Sequence, residues 1–75
     1  MDIENLRKKW SKSLGLTKRE VEVLEHVIKG LTSKEMAQTL GISPSTVEVH
    51  REHIRLKLGA RNTADLLRIA LVEAL

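Results

Sequence analysis

Closely spaced helix-start signals are the feature that most constrains how this chain can fold. Thr17 and Thr32 each stand three residues before a glutamate. An apolar residue precedes each threonine and another follows each glutamate, which is the pattern of a capping box with a hydrophobic staple. Ser43 has similar apolar flanks and is followed by Pro44, whose missing N–H is harmless at the first helical position. Glycines mark the helix ends, at positions 15, 30, 41 and 59. The pattern predicts helices over 18–29, 33–40 and 44–58.

A fourth helix and a basic N-terminal segment complete the predicted architecture. Asn62 can cap a helix over 63–74. Residues 1–14 hold four basic and two acidic residues, a difference of +2 within a net charge of +3. This segment is either a docked helix or disordered, because it carries an apolar stripe at helical spacing, formed by Ile3, Leu6, Trp10 and Leu14. We predict an all-α four-helix bundle at 15–75, preceded by a basic N-terminal arm or linker at 1–14.

Composition narrows the possible functions. Seventy-five residues make one domain, and the absence of cysteine excludes disulfides and thiolate metal sites. The net positive charge suits a nucleic-acid binder without requiring one. Phe and Tyr are absent and Trp10 stands alone, so the aromatic platforms of single-strand binders are missing. No apolar run approaches a membrane span or a signal peptide, which predicts a soluble cytoplasmic protein with no membrane partner.

The short connection between the second and third predicted helices favours a helix-turn-helix. Only residues 41–43 separate them, too few for comfortable antiparallel packing, so the two helices should cross steeply. Ala37 is small where the helices approach, Gly41 can adopt a positive φ at the turn, and Val47 fills the shared core. The alternative is an ordinary helical hairpin.

The third predicted helix has an inner and an outer face. At about 100° per residue, Val47, Ile54 and Leu58 form one stripe that should face the core. The outer face and its shoulders supply the candidate DNA base contacts, Ser45, Glu48, Val49, Glu52 and His53. Valine can touch a thymine methyl and glutamate can accept from cytosine N4. In the alternative interpretation the two glutamates are only a like-charge pair, relieved by Arg51 and Arg55.

Basic and polar side chains near this helix are candidates for the DNA backbone. Arg51 and Lys57 can reach phosphates from its margins, although a solvated charged face is the simpler interpretation. The candidate phosphate contacts are Thr32, Ser33, Lys34, Thr46, His50, Arg51 and Lys57.

The fourth predicted helix has more apolar surface than one core-facing stripe needs. Leu66 and Ala70 suit the core. The remaining apolar residues predict a dimer interface formed by Leu67, Leu71 and Ala74. A fully buried helix, or a site for an absent domain, is the alternative.

Four stretches of the sequence together resemble the LuxR-type helix-turn-helix DNA-binding domain, and most closely its FixJ and NarL response-regulator branch. They are LTKREVEVL (16–24), GLTSKEMA (30–37), ISPSTVEVHR (42–51) and KLGARN (57–62). The resemblance implies a bacterial transcription regulator whose third helix enters the major groove of double-stranded DNA and whose fourth helix forms a homodimer on DNA. It also implies RNA polymerase as a further partner and no cofactor. Many members carry lysine where this chain has Glu48 and Glu52, which bears on the bound sequence rather than on the binding mode.

Several other interpretations are weaker. A sigma-factor region 4 has a similar first helix and turn but gives no reason for the apolar last helix. A protein-interaction module could use the same scaffold, with the outward glutamates as its best support. An enzyme lacks a visible pair of base and nucleophile, and His50 with His53 lacks a third metal ligand nearby. A receiver domain does not fit into 1–14, so the chain is either an excised effector domain or a free-standing regulator.

Overall fold

A computed structural model describes residues 2–73, which form five helices and no strand. The helices are α1 (Ile3–Ser13), α2 (Lys18–Ile28), α3 (Ser33–Leu40), α4 (Pro44–Leu58) and α5 (Thr63–Glu73). The all-α class is confirmed. The predicted helices over 33–40 and 44–58 match α3 and α4 residue for residue. Because α1 precedes the four helices that were numbered from the sequence, the third and fourth predicted helices are α4 and α5. Between residues 2 and 73, no helix is long and apolar enough to cross a membrane.

The predicted capping interactions are present at the helix starts. At α2, the Thr17 hydroxyl accepts from the Glu20 N–H at 3.2 Å, and the Glu20 carboxylate accepts from the Thr17 N–H at 2.9 Å. Thr32 and Glu35 form the same reciprocal pair at α3. These contacts satisfy N–H groups that have no acceptor within the helix. The helix starts are therefore set by interactions between residues three apart.

The connection from α3 to α4 consists of residues 41–43, as predicted from the sequence. Gly41 has φ +70°, a left-handed conformation that glycine adopts without steric cost. The N–H groups of Gly41 and Ile42 both donate to the Ala37 carbonyl, which closes the end of α3. Ala37 and Val47 are buried. The three positions singled out from the sequence have the predicted small size, positive φ and core location.

The core gathers the inner faces of all five helices. Val47 and Ile54 of α4 pack with Val23 and Leu24 of α2. The largest fully buried side chains are Trp10, Val23, Leu24, Met36, Val47 and Ile54. Because α4 contacts both α2 and α3 extensively, its rotation about its own axis is set by this core.

The N-terminal segment is a docked helix, not a disordered arm. Asp2 caps α1 by accepting from the Glu4 N–H at 3.0 Å, a start signal that the sequence analysis missed. Leu6 and Trp10 are buried, as the predicted stripe requires, whereas Ile3 remains 40% exposed. The Trp10 indole N–H donates to the Ala70 carbonyl of α5 at 3.0 Å. Trp10 thus joins the two ends of the chain.

A buried carboxylate ties α1 to α2. Arg7 bonds Glu25 through two guanidinium nitrogens, and the Lys29 ammonium lies 3.2 Å from the same carboxylate. Burial alone raises the pKa of Glu25, but hydrogen bonds from Arg7 and Lys29 and their positive charges outweigh it, so the pKa is lower than usual. Glu25 therefore contributes stability in its ionised form.

Stability should fall in acid through Glu25. Its folded-state pKa is lowered, so the contribution is complete above the ordinary value of 4.5 and is lost as pH falls through the folded-state pKa. Glu25→Gln should cost roughly 1 kcal/mol at pH 7 and flatten the fall in unfolding free energy below that value. Urea unfolding followed by Trp10 fluorescence at several pH values measures both effects. Arg7→Gln should flatten the profile in the same direction, and a Glu25→Gln profile parallel to the parent's would contradict this role.

Candidate nucleic-acid interface

The outer face of α4 carries the candidate base contacts on an exposed surface. Val47 and Ile54 are buried, so the opposite side of the helix faces solvent. Val49 is 51% exposed there although it is apolar. Every candidate base contact is exposed, namely Ser45, Glu48, Val49, Glu52 and His53.

The start of α3 adjoins this face. The Ser33 hydroxyl donates to Oε1 of Glu48, which joins the first residue of α3 to the shoulder of α4. Thr32 caps α3 beside it, and Lys34 is exposed one residue further on. The Lys34 ammonium forms no hydrogen bond or ion pair with any residue between 2 and 73. The candidate residues of α3 and α4 therefore share one surface.

Glu52 is paired within its own helix. Arg55 donates to both carboxylate oxygens of Glu52, at 3.1 and 2.5 Å, and also to the Ala60 carbonyl at 2.9 Å. The hydrogen bonds from Arg55 lower the pKa of Glu52. The exposed position of the Glu52 carboxylate is compatible with a base contact. Its pairing with Arg55 is equally compatible with a like-charge pair that the arginine relieves.

Lys57 lies on the flank of α4 that also carries Thr46 and His50, and its ammonium is bonded within the protein. Its ammonium donates to the Gly15 carbonyl at 3.2 Å and to the Glu20 carboxylate at 2.7 Å. Glu20 is buried, which alone raises its pKa, but the hydrogen bonds from Lys57 and Thr17 lower the pKa below its usual value. Lys57 thus fastens the end of α4 to the start of α2, and two of the three donors of its ammonium are engaged within the protein.

The remaining candidates lie on the two flanks of α4. The Thr46 hydroxyl is 2.8 Å from the Ser43 hydroxyl, and His50 is half-buried. On the other flank Arg51 donates to the Thr63 hydroxyl at 3.3 Å, at the start of α5. Thr63 carried no sequence signal, because its partner is twelve residues away on another helix.

The apolar surface of α5 is divided between core and solvent. Leu66 and Ala70 are buried as predicted, and Leu67 packs half-buried against the core. Leu71 and Val72 are 38% and 55% exposed. Ala74, the third residue of the predicted dimer interface, lies outside the described residues.

The chain is similar to known regulatory proteins. The family of bacterial regulatory proteins called luxR, or GerE, matches residues 14–70, more than half of the chain. The matched region begins directly after the last residue of α1. No solved structure gave a significant match.

The individual proteins that the chain resembles are also regulatory proteins. The transcriptional regulatory protein TdiR of Thauera aromatica is 48% identical over 56 residues, 75% of this chain and 25% of the relative. The transcriptional regulatory protein FixJ of Azorhizobium caulinodans is 47% identical over 58 residues, 77% of this chain and 28% of FixJ. The oxygen regulatory protein NreC of Staphylococcus aureus is 43% identical over 60 residues, 80% of this chain and 28% of NreC. The chain thus spans about a quarter of the length of these relatives.

Lys57 and Lys34 should differ in their effects on stability. Lys57→Ala leaves the buried Glu20 carboxylate without its cation and should lower the unfolding free energy by about 1–2 kcal/mol. Lys34→Ala removes the same charge from an exposed site and should change it by less than about 0.5 kcal/mol. Urea unfolding at pH 7 measures both variants. Equal effects from the two substitutions would show that the Lys57 contacts are not stabilising.

Proposed function

Because the chain belongs to the LuxR family of bacterial regulatory proteins, we propose that it binds double-stranded DNA in a sequence-specific manner. In this proposal α4 enters the major groove and α5 forms a homodimer on DNA. The domain is residues 15–75, and 1–14 is a linker segment whose helix packs onto it. The proposal places the protein in the bacterial cytoplasm, with RNA polymerase as a further partner and no enzymatic activity.

The observation that carries the proposal is the continuous surface formed by the start of α3 and the outer face of α4. It exposes the cation of Lys34 on α3 together with an apolar residue and two carboxylates on α4, whose inner side is locked in the core. A recognition helix needs this arrangement, since base edges are read by side chains that project from one rigid face. Duplex is favoured over single strands because Trp10, the one large aromatic side chain, is fully buried and cannot stack on bases.

The proposed contacts follow from which groups are available at this surface. Ser45, Glu48, Val49, Glu52 and His53 are the proposed base contacts. Lys34 and Arg51 are the proposed cationic phosphate contacts, with Thr32, Thr46 and His50 beside them. Lys57 is not included, because its ammonium is held by Gly15 and Glu20.

Binding to duplex DNA should depend on salt, with Lys34 responsible for part of the dependence. Each neutralised phosphate adds about 0.9 to the slope of log K against log salt. Lys34→Ala should therefore weaken binding to all duplexes and reduce the slope by about 0.9. Fluorescence anisotropy with a labelled duplex at several salt concentrations gives the slope. Lys12→Ala, on the exposed side of α1, is the charge-matched control and should leave it unchanged; parent affinity that does not vary with salt would refute the proposal.

Glu48 should contribute base discrimination rather than affinity. A carboxylate repels the DNA backbone, so its benefit is acceptance from cytosine N4 and rejection of guanine O6 and N7. Glu48→Lys should raise affinity for random DNA and change the preferred base at one position of each half-site, by roughly 1–3 kcal/mol. Sequences selected from a random duplex pool, followed by a base-substituted panel, measure this change.

Two outcomes would contradict that role of Glu48. Glu4→Lys makes the same charge change on α1 and should leave base preference unaltered. An equal change in affinity for every duplex of the panel would show that Glu48 only weakens DNA binding through charge repulsion. Unchanged DNA affinity in Glu48→Lys would remove α4 from the groove and favour a protein-interaction module.

Dimerisation through α5 should strengthen binding to paired half-sites. Leu71 is an exposed apolar residue at the proposed interface, and Leu71→Asp should weaken cooperative binding by about tenfold while preserving helicity. Titrations of one-site and two-site duplexes, with half-sites one helical turn apart, measure the cooperativity. Val72→Asp introduces the same charge on the next residue as a control. Cooperativity that survives Leu71→Asp would assign this face another use.

A further inference from the structure

We infer that Ser33 is a positioning residue for base recognition, which holds the Glu48 carboxylate so that its second oxygen can accept from a cytosine amino group. The inference rests on the proposed function and deepens it. It gives Ser33 a role different from the phosphate contact that the sequence suggested.

The contact that supports it crosses from one helix to the next. Ser33 is the first residue of α3 and Glu48 the fifth of α4, and the Ser33 hydroxyl donates to Oε1 of Glu48. The cap of α3 does not need Ser33, because Thr32 supplies it. The Ser33 side chain is therefore committed to the neighbouring helix.

The nature of this partner distinguishes Glu48 from the other glutamates of the interior and of α4. Glu20, Glu25 and Glu52 are each bonded to lysine or arginine. Between residues 2 and 73, no ion pair involves Glu48, and a neutral hydroxyl is its side-chain partner. The hydroxyl fixes the direction of the carboxylate without cancelling its charge. Glu48 thus presents a carboxylate that is not paired with a cation of residues 2–73 at the exposed shoulder of α4.

The chemistry of the two groups determines which base fits. A serine hydroxyl has one donor hydrogen, so a hydroxyl that donates to Glu48 cannot donate to a phosphate at the same time. Ser33 uses one lone pair of Oε1, and Oε2 accepts no side-chain hydrogen bond from residues 2–73, so Oε2 keeps both of its lone pairs for a base. Cytosine presents an amino donor there, whereas guanine presents two acceptors that the carboxylate repels. A carboxylate held in advance also loses less side-chain freedom on binding.

The test first uses the free protein. A double-mutant cycle of Ser33→Ala and Glu48→Ala in urea unfolding should show a favourable coupling between the two side chains. Ser33→Thr keeps the hydroxyl and is the matched control. Absence of coupling would overturn the inference and leave the proposed function standing.

The second stage uses the base panel at the position where Glu48→Lys alters preference. Ser33→Ala should reduce discrimination for cytosine by about fivefold, part of what a good base contact supplies, while affinity for random duplex stays within about twofold. Ser33→Thr should retain the discrimination, and Ser33→Ala should cause no further loss in a Glu48→Ala background. An equal loss at every base pair, as expected for Lys34→Ala, would make Ser33 a phosphate contact and overturn the inference. Coupling in the free protein together with no sequence selection by the parent would overturn the proposed function, and the assigned role with it.

Discussion

The rotation of α4 about its own axis is the constraint on which the rest of the structure depends. Val47 and Ile54 are almost completely enclosed by α2 and α3, and a helix held by two such residues seven apart cannot turn without opening the core. Every outward position is then determined by the 100° step between residues. The exposure of Val49 and Glu48 thus has the same origin as the burial of Val47.

Local chemistry made much of this fold predictable from the sequence. A capping box joins residues three apart, so the starts of α2 and α3 could be predicted from Thr17 and Thr32 alone. The inner and outer faces of α4 follow from periodicity, which is also local. The left-handed turn at Gly41 needed only a glycine at the end of a helical pattern. In each case the determinants lie within one or two helical turns of each other.

The polar contacts between helices could not be predicted in this way. Lys57 bonds groups 37 and 42 residues away, and the pairing arises only because packing brings the end of α4 to the start of α2. The same holds for Ser33 with Glu48 and for Arg51 with Thr63. Helical periodicity could place Lys57 on the surface of α4 but could not show that its ammonium is bonded to the Glu20 carboxylate. The state of α1 was likewise undecided until its partners were known, because Trp10 finds them on α2 and α5.

The attachment of α4 at both ends has a thermodynamic consequence. Ser43 caps its first turn, and Lys57 fastens its last turn to Gly15 and Glu20, so hydrogen bonds hold the helix at both ends. A helix that is anchored in this way gives up less backbone entropy when it meets a rigid surface, and more of each contact is retained as binding free energy. Fraying would instead spread the outer side chains over many positions. The lysine that is bonded within the protein thus helps to keep its neighbours in register for a ligand.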